Sequence, residues 1–333
     1  PIFAASYDST CSSTTFGGSD RVSCWGKDHD GTTQLSRTIS TPLSAPFNGV
    51  EKITFGHEHG CLVQNETIKC WGSNSTGQLG RPGANSATPV ATTFNYPGVD
   101  VAAHFKASCG VFTIQGLGNY AYCWGSRDNY LLGDGSRVGS SSTPRYVAGT
   151  RGASSISMGR YTACVVLDNG QVKCWGNGNL TPLGSNENNV YRSRTVVRRS
   201  GDSYPALTGV TQVAIGWQHT CARTSEGYVY CWGRPTYGVL GIRDHVSGLY
   251  AQRVKRRVQG RLVDLSNATA VAAGLWYSCA LIDGQSVVCW GRDSYGQLGQ
   301  EDAPPFYSEP RSVVPLYDDR VYSRVIEVQR PTY

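Results

Sequence analysis

The tripeptide Cys-Trp-Gly constrains the fold most strongly, because it recurs six times along the 333 residues. Successive copies begin 46 to 58 residues apart, at Cys24, Cys70, Cys123, Cys174, Cys231 and Cys289. In the last five copies a leucine lies nine residues after the cysteine, and a glycine follows it. A period of this length is typical of repeat proteins in which each copy forms one supersecondary unit.

Each copy also has a second cysteine upstream of the tripeptide. In the fourth copy the intervening segment is symmetric about Asn169, and Gly170 suits the turn of a hairpin, so Cys164 is expected opposite Cys174. Directly opposed residues of antiparallel strands are close enough for a disulfide. Zinc sites usually contain Cys-x-x-Cys, which is absent. The sequence therefore predicts six hairpin disulfides, which are Cys11–Cys24, Cys61–Cys70, Cys109–Cys123, Cys164–Cys174, Cys221–Cys231 and Cys279–Cys289.

Apolar strands flank the hairpins. Residues 51–56 and 210–216 are examples before a hairpin, and 194–197 and 252–258 are examples after one. The 40 glycines favour tight turns, and no helical apolar period is sustained. The fold class is therefore predicted to be all-β, a six-bladed β-propeller of four-stranded antiparallel blades.

One domain is predicted over 1–333, with a closing strand or tail at its end. Because residues 325–328 resemble an opening strand, a seven-bladed propeller with an incomplete last blade is the alternative. The approximate blades are 1–47, 48–97, 98–149, 150–205, 206–264 and 265–320, followed by 321–333.

The repeat resembles that of the regulator-of-chromosome-condensation family. The shared pattern is Val-x-x-Val-Ala-x-Gly, then His-x-Cys, Cys-Trp-Gly and Gly-Gln-Leu-Gly, and the best copies run from Val213 to Gly241 and from Val271 to Gly299. The resemblance covers nearly the whole chain and implies a β-propeller, commonly seven-bladed. The family includes a nuclear nucleotide-exchange factor, a plant ultraviolet receptor and a secreted inhibitor of β-lactamases, so it does not imply one function.

The cysteines also bear on location. Six pairs at strand-opposed spacing would be unusual in a reducing compartment, so the chain is expected to be extracellular, secreted or on the cell surface, like the cysteine-bearing branch of the family. No apolar run is long enough for a transmembrane segment. Glycosylation is predicted if the source is a secreting eukaryote, at the sequons of Asn65, Asn74, Asn179 and Asn267.

Catalytic motifs are missing from the sequence. It contains no nucleophile elbow, phosphate-binding glycine loop or zinc-protease motif, so no catalytic residue, cofactor or metal is predicted. His57 and His59 would share one strand face as a possible metal pair. However, His59 and His219 fill the same repeat position, which favours a structural hydrogen bond.

Two kinds of residue are candidates for binding. Trp217 and Trp276 lie outside the register of the other tryptophans, which are expected to pack between blades. Two basic strands are predicted to form one patch for an anionic glycan or an acidic protein, and the alternative is that their charges prevent edge-to-edge aggregation. These strands contain Arg192, Arg194, Arg198 and Arg199, and Arg253, Lys255, Arg256, Arg257 and Arg261.

These observations predict a secreted, non-enzymatic propeller that binds a protein partner or assembles with itself. A charged fraction of only 16% does not suggest a nucleic-acid-binding surface, despite the net charge of +6. The alternative function is carbohydrate binding, through the basic patch or through shallow sites between blades. An enzyme is the least favoured reading.

Overall fold

The computed structural model describes the backbone of 3–5, 9–16 and 19–26, and describes 49–179, 183–187, 192–200, 202–242, 248–299 and 306–313 with their side chains. The chain divides into two compact units. Unit 1 comprises Pro1–Leu167 with Ile326–Tyr333, and unit 2 comprises Asp168–Val325. The single domain over 1–333 stays a prediction. The choice between six and seven blades depends partly on 27–48 and 314–333, which lie outside the described residues.

Unit 1 consists of antiparallel strands whose order in each sheet follows the chain. The first described sheet contains β1 (Phe3–Ala5), β2 (Ser9–Phe16) and β3 (Ser19–Gly26). The second contains β4 (Val50–Phe55), β5 (His59–Gln64), β6 (Thr67–Gly72) and β7 (Ser86–Ala91). The third contains β8 (Gly98–His104), β9 (Ala107–Ile114), β10 (Gly118–Ser126) and β11 (Ser140–Tyr146). A further antiparallel pair is β12 (Ala153–Met158) and β13 (Thr162–Leu167).

Unit 2 has the same antiparallel organisation. It contains the pair β14 (Val172–Gly176) and β15 (Arg194–Thr195). One four-stranded sheet consists of β16 (Val210–Ile215), β17 (His219–Thr224), β18 (Val229–Gly233) and β19 (Gln252–Arg253). A second consists of β22 (Ala268–Ala273), β23 (Tyr277–Ile282), β24 (Ser286–Arg292) and β25 (Phe306–Ser312). A two-stranded ribbon, β20 (Lys255–Val258) and β21 (Arg261–Asp264), lies between them in the chain. The described helices are single 3-10 turns, Asp128–Tyr130 in unit 1 and Thr236–Gly238 in unit 2. Within the described ranges, no helix is long and apolar enough to span a membrane.

The predicted hairpin disulfides are confirmed at four places, with Cα atoms 4.0 to 4.1 Å apart, at Cys61–Cys70, Cys109–Cys123, Cys221–Cys231 and Cys279–Cys289. The backbone register also sets Cys11 opposite Cys24, whose side chains lie outside the described part. Cys164 and Cys174 belong to different units, so their mutual bond stays a prediction. No free cysteine occurs among the described side chains.

The repeat tryptophans with described side chains are buried, as predicted: Trp71, Trp124, Trp175, Trp232 and Trp290. Trp124 Nε1 donates to the carbonyl of Gln78, 2.9 Å away, and Trp290 Nε1 donates to the carbonyl of Val239 at 2.8 Å. Both acceptors immediately precede the repeat leucine of the preceding sheet. The same position thus packs one sheet against the next in each unit.

The repeat histidines provide a second link between sheets. His59 Nε2 lies 2.7 Å from Ser108 Oγ in unit 1, and His219 Nε2 lies 2.8 Å from Ser278 Oγ in unit 2. Burial lowers the pKa of His219 to about 4, so this ring is neutral at pH 7. The expectation of a structural hydrogen bond is confirmed at both positions.

The predicted strand 252–258 is wrong as a single element. It breaks at Val254, a fully buried residue that donates to Val229 and accepts from Leu265. Residues before the break pair with β18, whereas residues after it form the ribbon. Burying Val254 turns the chain, and the pattern of basic residues concealed that turn.

Candidate functional site

Two loops of unit 2 lie against each other, 216–218 between β16 and β17 and 274–276 between β22 and β23. A Cβ atom at Gly216 would lie 2.4 Å from the carbonyl oxygen of Gly274, so only glycine permits this approach. The Trp217 amide donates to the carbonyl of Leu275 at 3.3 Å. The contact stacks Trp217 on Trp276, with ring centroids 5.4 Å apart and planes 19° apart.

A tyrosine and an arginine extend this stack. Tyr237 meets Trp276 edge-on at 5.6 Å. The Arg292 guanidinium lies 5.3 Å from the ring centroids of both Tyr237 and Tyr295. Arg292 is fixed at the end of β24, where its amide donates to the carbonyl of Trp276 at 2.7 Å and its Nε donates to Ser294 Oγ at 3.0 Å.

These residues form what we call the aromatic–arginine surface, which consists of Trp217, Tyr237, Trp276, Arg292 and Tyr295. Tyr295 is 81% exposed and Tyr237 39%, whereas the two indoles are half-buried. Arg292 forms no ion pair with any described side chain. Trp, Tyr and Arg are the residue types enriched at the energetic centres of protein interfaces.

Sequence reasoning found the two tryptophans of this surface but missed the other three residues. The sequence contains a signal for the two tyrosines, because Tyr237 and Tyr295 both lie five residues after a repeat tryptophan. The third copy has Asn129 at that position, and the second has Thr76. An aromatic residue at a loop position in only the last two copies indicates a feature beyond the repeat framework.

The profile of the regulator of chromosome condensation (RCC1) repeat matches 153–180, 210–239 and 268–297. The ultraviolet-B receptor UVR8 of Arabidopsis thaliana is 26% identical over 274 residues, which cover 79% of this chain and 58% of the receptor. Human WBSCR16 superposes with a TM-score of 0.72 at 20% identity, covering 95% of this chain and 81% of that one. Prp20p of Saccharomyces cerevisiae gives a TM-score of 0.68 at 19% identity, covering 94% and 76%.

This chain carries RCC1 repeats and is similar to the RCC1-repeat β-propellers. Two of the matched RCC1 repeats, 210–239 and 268–297, contain every residue of the aromatic–arginine surface. The chain spans only about three-fifths of the plant receptor's length. The solved structures are similar in fold.

The two predicted basic strands come together in unit 2. Arg198 forms a parallel bridge with Ala251, and the Ala251 amide donates to the carbonyl of Val197 at 2.8 Å. The Arg199 side chain hydrogen-bonds Tyr250, which raises the pKa of this arginine. Residues 197–199 therefore lie beside the chain that leads into β19.

Four of the nine basic residues in these strands form ion pairs within unit 2. Asp264 binds Arg253 at 2.7 Å and Lys255 at 3.0 Å, Glu309 binds Arg257 at 3.3 Å, and Glu187 binds Arg194 at 3.1 Å. Hydrogen bonds to the Tyr230 hydroxyl and to Asp264 raise the pKa of Arg253. These four charges thus serve local structure. The residues outside these ion pairs are Arg192, Arg198, Arg199, Arg256 and Arg261.

Three of the four predicted sequons have exposed asparagines, at Asn65, Asn179 and Asn267. Asn74 differs, because its side chain is buried and its Nδ2 donates to the carbonyls of Arg81 and Gly83. Its Oδ1 also accepts from the Leu79 amide at 3.1 Å, as Asp293 Oδ1 accepts from Leu298. Asn74 therefore stabilises a repeat turn, and this role disfavours glycan attachment.

The two histidines weighed as a metal pair have separate surroundings. His59 is hydrogen-bonded to Ser108, whereas the ring of His57 lies 5.8 Å from that of Phe105. The described part of the chain contains no group of three or more His, Cys, Asp or Glu residues able to hold a metal ion.

Proposed function

We propose that this RCC1-repeat chain is an extracellular, non-enzymatic binding module that holds a protein partner on the aromatic–arginine surface. One observation carries the proposal, the stacked pair Trp217 and Trp276 continued by Arg292 between two tyrosine rings. Flat aromatic groups with a guanidinium offer large contact area and directional hydrogen bonds together. The study of Prp20p names Gsp1p and histones among its binding properties, which supports a protein-binding role in the family.

Rigidity of the surface supports the same function. The disulfides Cys221–Cys231 and Cys279–Cys289 tie β17 to β18 and β23 to β24, and β17 and β23 begin directly after the two loops that carry the indoles. Arg292 is further held by the backbone of Trp276. A preformed surface loses little conformational entropy on association, so more of its contact energy becomes affinity.

The charge of the surface indicates the chemistry of the partner. Arg292 forms no ion pair with a described carboxylate and can form charge-assisted hydrogen bonds with one that arrives from outside. The adjacent rings of Tyr237 and Trp276 favour an apolar side chain beside it. The expected partner presents an Asp or Glu next to an aromatic or aliphatic residue.

A displayed library of random peptides, panned against the intact chain, tests this function. Peptides enriched on the wild type should contain an acidic residue beside an apolar one, and they should fail to bind a variant with Arg292→Glu and Tyr295→Ala. Arg151→Glu is a matched charge reversal at an exposed arginine of unit 1 and should leave binding unchanged. Equal binding by wild type and the double variant would overturn the proposed site.

Self-assembly is a second form of the same function. If the partner is another copy, light scattering should show a mass that rises with protein concentration. The Arg292→Glu variant should have a single-copy mass at every concentration, whereas Arg151→Glu should behave like the wild type. A mass that is constant over the concentration range excludes self-assembly and leaves a different protein as the partner.

The extracellular location is supported by the four hairpin disulfides. Mass spectrometry of alkylated protein from its natural source, without reductant, tests it. All twelve cysteines should resist alkylation, whereas twelve alkylated thiols would contradict an oxidising compartment.

A further inference from the structure

Unit 1 contains a row of aromatic rings that no motif or repeat position predicted. The ring centroids of Tyr96 and Phe94 are 4.8 Å apart, and those of Phe94 and Tyr122 are 4.3 Å apart. Tyr146 continues the row, 5.8 Å from Tyr122 and 5.8 Å from Tyr120. We call these five residues the tyrosine row.

The register of β10 and β11 builds most of this row. Tyr120 and Tyr122 are two residues apart on β10 and therefore point to the same face of the sheet. Tyr146 on β11 is the direct cross-strand partner of Tyr122. Trp124, the next residue on that face, is fully buried, so the face passes from the core to the surface along one strand.

Phe94 connects the strands to the segment that follows β7. It is half-buried and meets the fully buried ring of Phe112 edge-on, with centroids 5.0 Å apart. The contact fixes the backbone at 94–96 beside β10 and holds Tyr96 at the end of the row. The row thus lies where the sheets β4–β7 and β8–β11 meet within unit 1.

Two features of the row point to an uncharged ligand. Tyr146 is 48% exposed and Tyr96 42%, so large aromatic surfaces face solvent. None of the described arginines or lysines lies over a ring of this row, in contrast to the rings of Tyr228, Tyr237 and Tyr295. The row offers aromatic faces and phenol hydroxyls, without a fixed charge.

We propose that the tyrosine row binds a neutral oligosaccharide. One face of a pyranose ring presents C–H groups, which carry partial positive charge and pack on the electron-rich face of an aromatic ring. The sugar hydroxyls at its edge can exchange hydrogen bonds with the tyrosine hydroxyls. The two exposed rings, Tyr96 and Tyr146, are separated along the row by Phe94 and Tyr122, so they suit a chain of sugars better than one monosaccharide.

An array of neutral gluco-, galacto- and manno-oligosaccharides, probed with the intact chain, tests the proposal. The tightest ligand is then titrated calorimetrically into the wild type and into Tyr146→Ala, which should bind about five- to tenfold more weakly. Tyr146→Phe keeps the ring and removes only the hydroxyl. Its loss of binding free energy should therefore be less than half of that of Tyr146→Ala. Tyr96→Ala, at the end of the row beyond Phe94, should weaken binding of longer oligosaccharides more than that of shorter ones.

Tyr295→Ala in unit 2 is the matched control, since it removes a more exposed tyrosine that lies outside the row. It should leave saccharide binding unchanged while it weakens peptide binding, so the two proposals fail independently. Absence of any neutral saccharide binding at millimolar concentration would overturn the inference. Equal affinity of wild type and Tyr146→Ala would also overturn it.

Discussion

The aromatic–arginine surface of unit 2 and the tyrosine row of unit 1 are built on the same repeat framework but differ in charge. Beneath them, Trp290 and Trp124 make equivalent hydrogen bonds to a backbone carbonyl of the preceding sheet. Above this framework, unit 2 places Arg292 between tyrosines, whereas no described arginine or lysine lies over a ring of the tyrosine row. The comparison shows that the repeat determines the buried contacts, while loops and strand ends determine what each surface can bind.

The largest expected effect comes from removing the shared framework. Trp124→Ala and Trp290→Ala should each lower the free energy of unfolding by about 3–5 kcal/mol, because each leaves a large buried cavity. Urea denaturation measures this loss. Tyr295→Ala serves as a control and should change the stability by less than about 0.5 kcal/mol. A loss below about 1 kcal/mol at either tryptophan would mean that the two positions are not equivalent in packing.

Acid should weaken the framework of unit 2 through His219. Its pKa is about 4 in the folded chain because the ring is buried, against 6.5 for an ordinary histidine. As the pH falls below about 6.5, the unfolded chain takes up a proton first, so stability declines until the folded ring also protonates near pH 4. The loss is about 3 kcal/mol. Thermal unfolding at several pH values should show a shallower decline for His219→Gln, and parallel curves would contradict this role.

The repeat turns provide a finer comparison of the two regions. Asn74 and Asp293 both accept a hydrogen bond from the amide of the repeat leucine. Each change to alanine should lower the free energy of unfolding by about 1–2 kcal/mol, because a buried amide loses its acceptor. Asp293→Ala should also weaken peptide binding, since its turn carries Tyr295, whereas Asn74→Ala should leave peptide binding intact. Equal binding losses would show that the effect is general destabilisation.

The smallest expected effect is that of salt, which should weaken binding at the aromatic–arginine surface but not at the tyrosine row. Peptide binding at Arg292 should weaken by about two- to fivefold from low salt to about 1 M, where the Debye length falls to about 3 Å. Saccharide binding at the tyrosine row should stay constant, because no charge takes part. Calorimetric titrations at several salt concentrations provide the comparison, and a salt-sensitive saccharide would place a cation in that site.

The framework was predictable from sequence because its signals are local or periodic. Opposed cysteines, repeat tryptophans and repeat histidines each recur at the same place in the repeat, and the structure confirms their roles where their side chains are described. The ion pairs of the basic strands were not predictable, because Glu309 lies 52 residues from Arg257. The tyrosine row joins two strands of one sheet to the segment that follows β7, and no single repeat contains it. Surfaces of this kind depend on which neighbours the fold brings together.

Hydrogen exchange of the intact chain with a selected acidic peptide tests the central claim most directly. The peptide is expected to slow exchange at 216–218, 274–276 and 292–296. Arg292→Glu should abolish this protection, while the exchange of unit 1 stays unchanged. Protection that lies elsewhere, or that persists in Arg292→Glu, would contradict the assignment of the aromatic–arginine surface as the binding site.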